Sequence, residues 1–382
     1  MDTLNTNAPA LRRWNGRRGM RVFFRRHAVL HIWLLCALLA AAAFHLSKEN
    51  RALMNALAEH VTGPVKETLG ALCAAVPFSV AEVALFTAAG IVLLYLGALV
   101  GGLIRCRRRG NLLYTRLLGL VCAGVTVYSL FCLLWGVNYY TDGFQERSGL
   151  RAKEVSIEEL QATTTYFAQK LNETSASVKR DEAGVFDADR SAIYDDAVQV
   201  YRGVEQKYPF LALRDHRPKR VSFSKLMSRT NFTGFFFPFT GEANLNDDSP
   251  ACLLPATIAH EMAHQRGIAS EDECNFLAVL TCAMSGNAVY EYSGYLMGFI
   301  HLSNALYQAD PARWEAVHAG LNAQVRADLA DNNAYWARFE SETAELSQSV
   351  YDGFLKSYGE ESGIQSYGEV VDLLVAYYGP QA

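Results

Sequence analysis

Leu253-Leu254-Pro255-Ala256-Thr257-Ile258-Ala259-His260-Glu261-Met262-Ala263-His264-Gln265-Arg266-Gly267 is the stretch on which the reading of this 382-residue chain turns. The run before His260 is mostly apolar, so a helix here is a buried one. Residues four apart share one face of a helix, and His260 and His264 have that spacing. Two imidazoles on one face can hold a Zn²⁺ ion, and Glu261 beside them can act as base on a water that such a metal activates. Buried His and Glu need polar partners, and a metal supplies one. Gly267 suits a left-handed helix end. Ser270 suits the cap of a new helix, with Glu273 at capping-box spacing.

A catalytic zinc takes three protein ligands and keeps one position open. Ser270 stands where HExxHxxGxxH enzymes carry a third histidine, so that class is excluded. The segment Glu271-Asp272-Glu273-Cys274-Asn275 resembles the Glu-x-x-Ala-Asp helix of gluzincin metallopeptidases, with Cys274 for Ala and Asn275 for Asp. That resemblance implies Glu271 as the third ligand and Asn275 as the side chain that orients a ligand histidine. Glu273 is the rival ligand; if it binds, Glu271 becomes a first-turn helix charge.

Upstream, Gly234-Phe235-Phe236-Phe237-Pro238-Phe239-Thr240-Gly241-Glu242-Ala243-Asn244-Leu245-Asn246 reads as one or two short strands, with Pro238 at an edge or bulge. An edge strand beside the metal helix is where an extended peptide would pair; the competing reading is a buried aromatic strand. Gly241, Glu242 and Asn244 are the candidates for touching substrate, and Glu242 alternatively pairs with a cation such as Arg229.

The front of the chain is different material. Hydrophobic residues make up 51% of the sequence and are concentrated early. Residues 28–46, 80–104 and 117–137 are apolar runs long enough to span a bilayer. A cleaved signal peptide is not expected, because the first run lacks a small-residue cleavage site and two more follow. Arg12, Arg13, Arg17, Arg18, Arg21, Arg25 and Arg26 precede the first run, and Arg105, Arg107, Arg108, Arg109 and Arg116 separate the second from the third. By the positive-inside rule both segments are cytoplasmic, and the chain after about Tyr140 lies outside. Residues 1–140 carry 15 Lys and Arg against 5 Asp and Glu, and the remainder carries 20 against 34. Arginines flanking apolar runs read as membrane topology, so no nucleic-acid partner is expected. Ser79 and Glu82 stand at capping-box spacing, which puts Glu82 at the mouth of the second span. The loop Arg51–Leu72 carries Leu53, Leu57 and Val61 at helical spacing and is expected to lie on the outer membrane surface.

The expected organisation is a basic cytoplasmic segment 1–26, a three-helix membrane region 27–140 and an extracytoplasmic domain 141–382. In that domain Ser156-Ile157-Glu158-Glu159 opens a helix to about Val178, a loop covers Lys179–Arg190, and a helix runs from about Ser191 to Tyr208. From Glu271 onward the chain reads as helices at 271–284, 287–308, 311–330, 332–357 and 367–379. Tyr351, Tyr358 and Tyr367 are candidates for the donor that stabilises an oxyanion. Cys36, Cys73, Cys106, Cys122 and Cys132 lie in or beside the spans. Cys252, Cys274 and Cys282 lack zinc-finger spacing, and a Cys252–Cys282 bridge is the one pairing considered.

Several motifs together resemble one family. Val76-Pro77-Phe78-Ser79-Val80-Ala81-Glu82 opens the second span, Trp135-Gly136-Val137-Asn138-Tyr139-Tyr140 closes the third, and the HExxHQxG helix with Glu-Asp-Glu-Cys-Asn follows. These resemble a bacterial membrane family catalogued as domain of unknown function 3810. The fold expected is mainly α, with three N-terminal transmembrane helices followed by a zincin-like α+β metallopeptidase-type domain with a small sheet. The activity expected is a zinc-dependent metallopeptidase, anchored in the lipid bilayer, cleaving a peptide or protein at the cell envelope. Its rivals are a non-catalytic binding or sensing protein with structural zinc and an amidase of envelope polymers.

Overall fold

The computed structural model describes residues 22–105, 109–357 and 367–380. Arg12, Arg13, Arg17, Arg18, Arg21, Arg107, Arg108 and Cys106 lie outside the described residues. Among the described residues three helices are long and apolar enough to cross a membrane: Ala28–Ser47, Val80–Arg105 and Arg109–Leu134. They mark the chain as membrane-associated. The third begins and ends earlier than its apolar run. Asn111, Thr115 and Arg116 join it because a backbone in an apolar medium keeps its hydrogen bonds by staying helical. It ends where Trp135 leaves the helical region at φ −135°, and Gly136–Tyr140 form a 3₁₀ turn with Gly136, Val137 and Asn138 buried.

The chain divides into two compact units. The first comprises the described residues up to Leu46 together with Ile91–Leu130. Here polar side chains fasten apolar helices: Trp33 Nε1 donates to Thr126 Oγ1 at 2.8 Å, Ser129 Oγ to the Ala37 carbonyl at 3.0 Å, and Cys122 Sγ to the Leu30 carbonyl at 3.3 Å. Between apolar helices in lipid, such bonds replace the missing hydrophobic drive.

The second unit comprises Ser47–Gly90 and the chain from Phe131 onward. It is mostly helical with one small mixed sheet, in strand order β1 (Lys219–Arg220), β3 (Glu242–Leu245), β2 (Gly234–Phe237). β1 pairs parallel with β3, and β2 pairs antiparallel, with Gly234 opposite Leu245 and Phe237 opposite Glu242. Pro238 follows β2 in the turn that leads into β3, so β2 is an edge strand. The helix Leu254–Gln265 packs on β2, β3, Glu271–Ala283 and Ala288–Ala309. All of its residues except His260 and Gln265 are buried. Phe144, Phe167, Tyr194, Tyr201, Phe276 and Phe299 fill the surrounding core.

The segment expected on the outer membrane surface is built into this second unit. It forms helices Arg51–Leu57 and Gly63–Cys73 around a π-turn at Ala58–Thr62. Met54 is fully buried, and Thr62 Oγ1 donates to the Leu133 carbonyl at 2.7 Å. The face that the spacing singled out, Leu53, Leu57 and Val61, stays exposed or half-exposed, and it is the other face, with Met54, Thr62, Lys66 and Gly70, that meets protein.

The second span is capped by the sheet. Glu82 N–H donates to Ser79 Oγ at 2.9 Å, as the spacing implied, but the Glu82 carboxylate accepts from the Ser222 amide instead of reciprocating. Glu242 accepts from the Val80 and Ala81 amides at 3.2 and 2.8 Å, and Asn244 Oδ1 accepts from Ser79 Oγ at 2.6 Å. Glu242 thus meets backbone donors at a helix N-terminus rather than Arg229, where a carboxylate also complements the helix dipole.

Later boundaries shift for local reasons. The Ser156 capping box forms in both directions, and its helix runs Ile157–Thr174. The helix expected over 191–208 is broken into Arg190–Asp196, a 3₁₀ turn and Arg202–Lys207. The two helices expected over 311–357 are three, Pro311–Ala319, Ala323–Ala337 and Glu342–Ser357, because Gly320 ends the first and Asn322 caps the second through the Val325 amide. Cys252 and Cys282 are buried free thiols.

Removing the Glu242 cap has a measurable consequence. Glu242→Ala leaves two backbone donors at the start of the second span without an acceptor, at a cost of about 2–3 kcal/mol. The purified protein should melt at a lower temperature, and Glu242→Gln, which keeps an acceptor oxygen, should lose less. An unchanged melting temperature in Glu242→Ala would mean that water replaces the carboxylate there.

Candidate metal centre

The histidines lie on the inner face of Leu254–Gln265, a helix that starts with Pro255 in its first turn and ends in a left-handed residue. Gly267 has φ 85°, and its amide donates to the His264 carbonyl at 3.0 Å. This reversal brings the next helix, Glu271–Ala283, back alongside. Ser270 caps it through the Glu273 amide at 3.4 Å.

Three donors meet between the two helices. His260 Nε2 is 3.2 Å from Glu271 Oε2, and His264 Nε2 is 3.6 Å from Glu271 Oε1. One ligand atom from each of His260, His264 and Glu271 lies within 4.8 Å of the others. The outer ring nitrogens are anchored. His260 Nδ1 is 2.9 Å from Asn275 Oδ1, and His264 Nδ1 is 2.9 Å from the Ile268 carbonyl. An oxygen acceptor at Nδ1 fixes the tautomer with the proton there, which leaves Nε2 free as a lone-pair donor. The Trp135 ring packs edge-on against His264 with centroids 5.4 Å apart.

Glu273 is elsewhere. Its carboxylate accepts from the Phe144 and Gln145 amides at 2.7 and 2.9 Å and caps the short helix Phe144–Ser148. It therefore does not close its own capping box with Ser270. Both glutamates share a helix, but they are two residues apart and point in different directions.

Glu261 is buried beside the trio. A Cβ on Gly234 would come within 2.6 Å of Glu261 Oε1, so only glycine lets β2 pass this close. Burial pushes the Glu261 carboxyl up, and the charge on Glu271 adds to the push; His260, His264 and the Phe236 amide pull against it, but the carboxyl stays above the usual carboxylate range. For Glu271 burial acts in the same direction, but the two imidazoles outweigh it and hold this carboxylate well below that range. Tyr351, on Glu342–Ser357, donates its hydroxyl to Glu271 Oε1 at 2.7 Å. Burial raises the Tyr351 phenol well above its ordinary value, so it remains a donor at neutral pH.

These groups line a cavity of 380 Å³ with a largely aromatic wall that includes Phe131, Trp135, Phe232, Phe235 and Phe354. A family model described as a protein of unknown function (DUF3810) matches residues 59–375. The chain belongs to that family. The match takes in both helices of the centre, the sheet and the second and third apolar helices. No curated protein and no solved structure matches the chain.

Of the residues singled out by sequence, the structure brings together His260, Glu261, His264, Glu271, Asn275 and Tyr351. It places Gly241, Glu242 and Asn244 outside the cavity wall: Glu242 and Asn244 hold the second span, and Gly241 packs against Gly70. The cavity is lined instead by the preceding strand, β2, with Pro238. Alternation along a short strand could not say which residues turn toward the helix. The side chains of Tyr358 and Tyr367 lie outside the described residues. Gly234 and Gln348, also at the cavity, had no sequence signal of their own. Asn275→Ala should release the His260 ring and weaken a divalent metal held by the trio by about 10–100-fold. A competition titration with a chelating dye measures this, and an unchanged affinity would show that packing alone holds the ring.

Proposed function

We propose that this chain is a membrane-anchored zinc metallopeptidase, with a gluzincin-like site in a zincin-like domain on the extracytoplasmic side. The observation that carries this reading is the convergence of His260, His264 and Glu271 with Glu261 buried beside them. Two imidazoles with free Nε2 atoms and one ionised carboxylate are a donor set that suits Zn²⁺, and three protein ligands are the number an open site uses. Glu273 is engaged by the Phe144 and Gln145 amides rather than at the trio, which argues against a closed structural site. When bound by these three residues, zinc would acidify a water and polarise the scissile carbonyl.

The protein's own residues then divide the work. Glu261 takes a proton from the attacking water and later gives one to the leaving amine; a carboxyl raised by burial suits both transfers. Tyr351 offers its hydroxyl to the oxygen on which negative charge develops. β2, an edge strand whose Gly234, Phe235 and Phe236 line the cavity, offers backbone groups to an extended peptide. The aromatic wall would take apolar side chains. Phe131, in the last turn of an apolar helix, lines the same cavity, which supports a peptide or protein substrate near a membrane surface. The positively charged segments before the first apolar helix and between the second and the third support the extracytoplasmic orientation.

The test uses the full chain in detergent. The wild type should hold one zinc and cleave a peptide library. His264→Ala should lose the zinc, and Glu261→Gln should keep it while hydrolysis falls by about 10²-fold or more. A Glu261→Gln variant that still cleaves at the wild-type rate would remove the assigned base, and a wild type that binds no zinc would remove the site.

A further inference from the structure

A second cavity, of 630 Å³, opens next to the C-terminal end of the helix Leu254–Gln265, and its lining includes Lys66, Asn138 and Gly267. Lys66 is 4% exposed, and its Nζ has no hydrogen-bond partner. Asn138 is 6% exposed, and its Nδ2 also lacks one. The two side chains converge: a Cβ on Gly267 would sit 3.9 Å from Lys66 Nζ and 3.3 Å from Asn138 Oδ1. Lys66 Nζ lies 5.3 Å from the centroids of both Trp135 and Phe236, which cushion the cation without neutralising it.

The acids and arginines around the cavity are accounted for otherwise. Asp142 is taken by Arg51 at 3.3 Å and Asn55 at 2.7 Å. Arg266 is paired with Glu205 and Asp215. Arg147 donates to the Phe210 carbonyl and adds positive charge. Glu59 and Glu67 are exposed at the rim. Burial, with no acid set against it, pulls the Lys66 ammonium down to about 7. A buried cation and a buried amide donor without acceptors cost stability, and an anion that accepts from both removes that cost.

We propose that this cavity binds a small organic carboxylate, whose oxygens accept from Lys66 Nζ and Asn138 Nδ2 while its body fills the space toward Glu59 and Glu67. A singly charged group suits one ammonium and one amide, and the rim glutamates disfavour a doubly charged one. The volume exceeds that of a bare anion, so the ligand carries more than its charged group. The site is separate from the trio and does not depend on peptidase activity.

The experiment titrates N-acetylglycine, acetate and inorganic phosphate into the full chain in detergent, read by calorimetry and by melting temperature. N-acetylglycine should bind saturably in the millimolar range and raise the melting temperature. Lys66→Met should weaken it tenfold or more while melting no lower than the wild type without ligand, because it removes an unpaired buried charge. Asn138→Ala should weaken it with Lys66 intact. Binding that is equal in wild type and Lys66→Met, binding of phosphate but not of the carboxylates, or no saturable binding overturns the proposal. Zinc content, measured in the same samples, reports separately on the trio.

Discussion

The contact between Glu271 and the two imidazoles organises the centre of the second unit. A helix as buried as Leu254–Gln265 cannot carry polar side chains unless each finds a partner. His260 and His264 meet this demand at Nδ1, on Asn275 and Ile268, and turn their Nε2 atoms toward Glu271, where a metal would be the shared partner. Because Glu271 and Asn275 lie one helical turn apart, a single helix supplies both the facing carboxylate and one of the anchors. The left-handed residue at Gly267 sets the reversal that puts this helix in reach. Loss of the facing carboxylate would leave the buried His264 imidazole and the half-buried His260 imidazole to find other partners.

The buried and half-buried glutamates illustrate how one residue type is sorted by surroundings. Glu242, Glu273 and Glu82 each accept from backbone amides: at the start of the second span, at the start of a short helix, and at Ser222. These bonds tie distant segments of the chain to the sheet and to the helix Glu271–Ala283. Glu261 and Glu271 sit in the same apolar surroundings, but their charges are driven in opposite directions, because the imidazoles face Glu271 directly. A pair of carboxyls so separated is suited to the proposed division between a group that moves protons and one that stays ionised.

The segment between the first and second apolar helices joins this network. It is a wall of the second unit, with Met54 in the interior and Gly70 against Gly241. Lys66 on this segment lies behind Trp135, and Trp135 packs on His264. The centre and the second cavity therefore share an aromatic partition, although their polar groups are distinct.

Local rules carried the reading where the determinant was local. Three apolar runs long enough to span, the i,i+4 histidines, the glycine reversal at Gly267 and the Ser156 box depend on spacing and on the preferences of nearby residues, and these were legible from the chain alone. Tertiary structure decided what depended on the far end of a side chain. It sent Glu273 to the Phe144 and Gln145 amides, set Glu242 and Asn244 to hold a span, put Tyr351 on Glu271, and packed one face of the 51–73 segment, at Met54, Thr62, Lys66 and Gly70, against protein. The physical reason is the same in each case. Spacing along a helix or strand specifies the face on which a polar group emerges, whereas the partner it meets comes from a segment remote in sequence and is chosen by the need to satisfy buried charge and hydrogen-bonding groups.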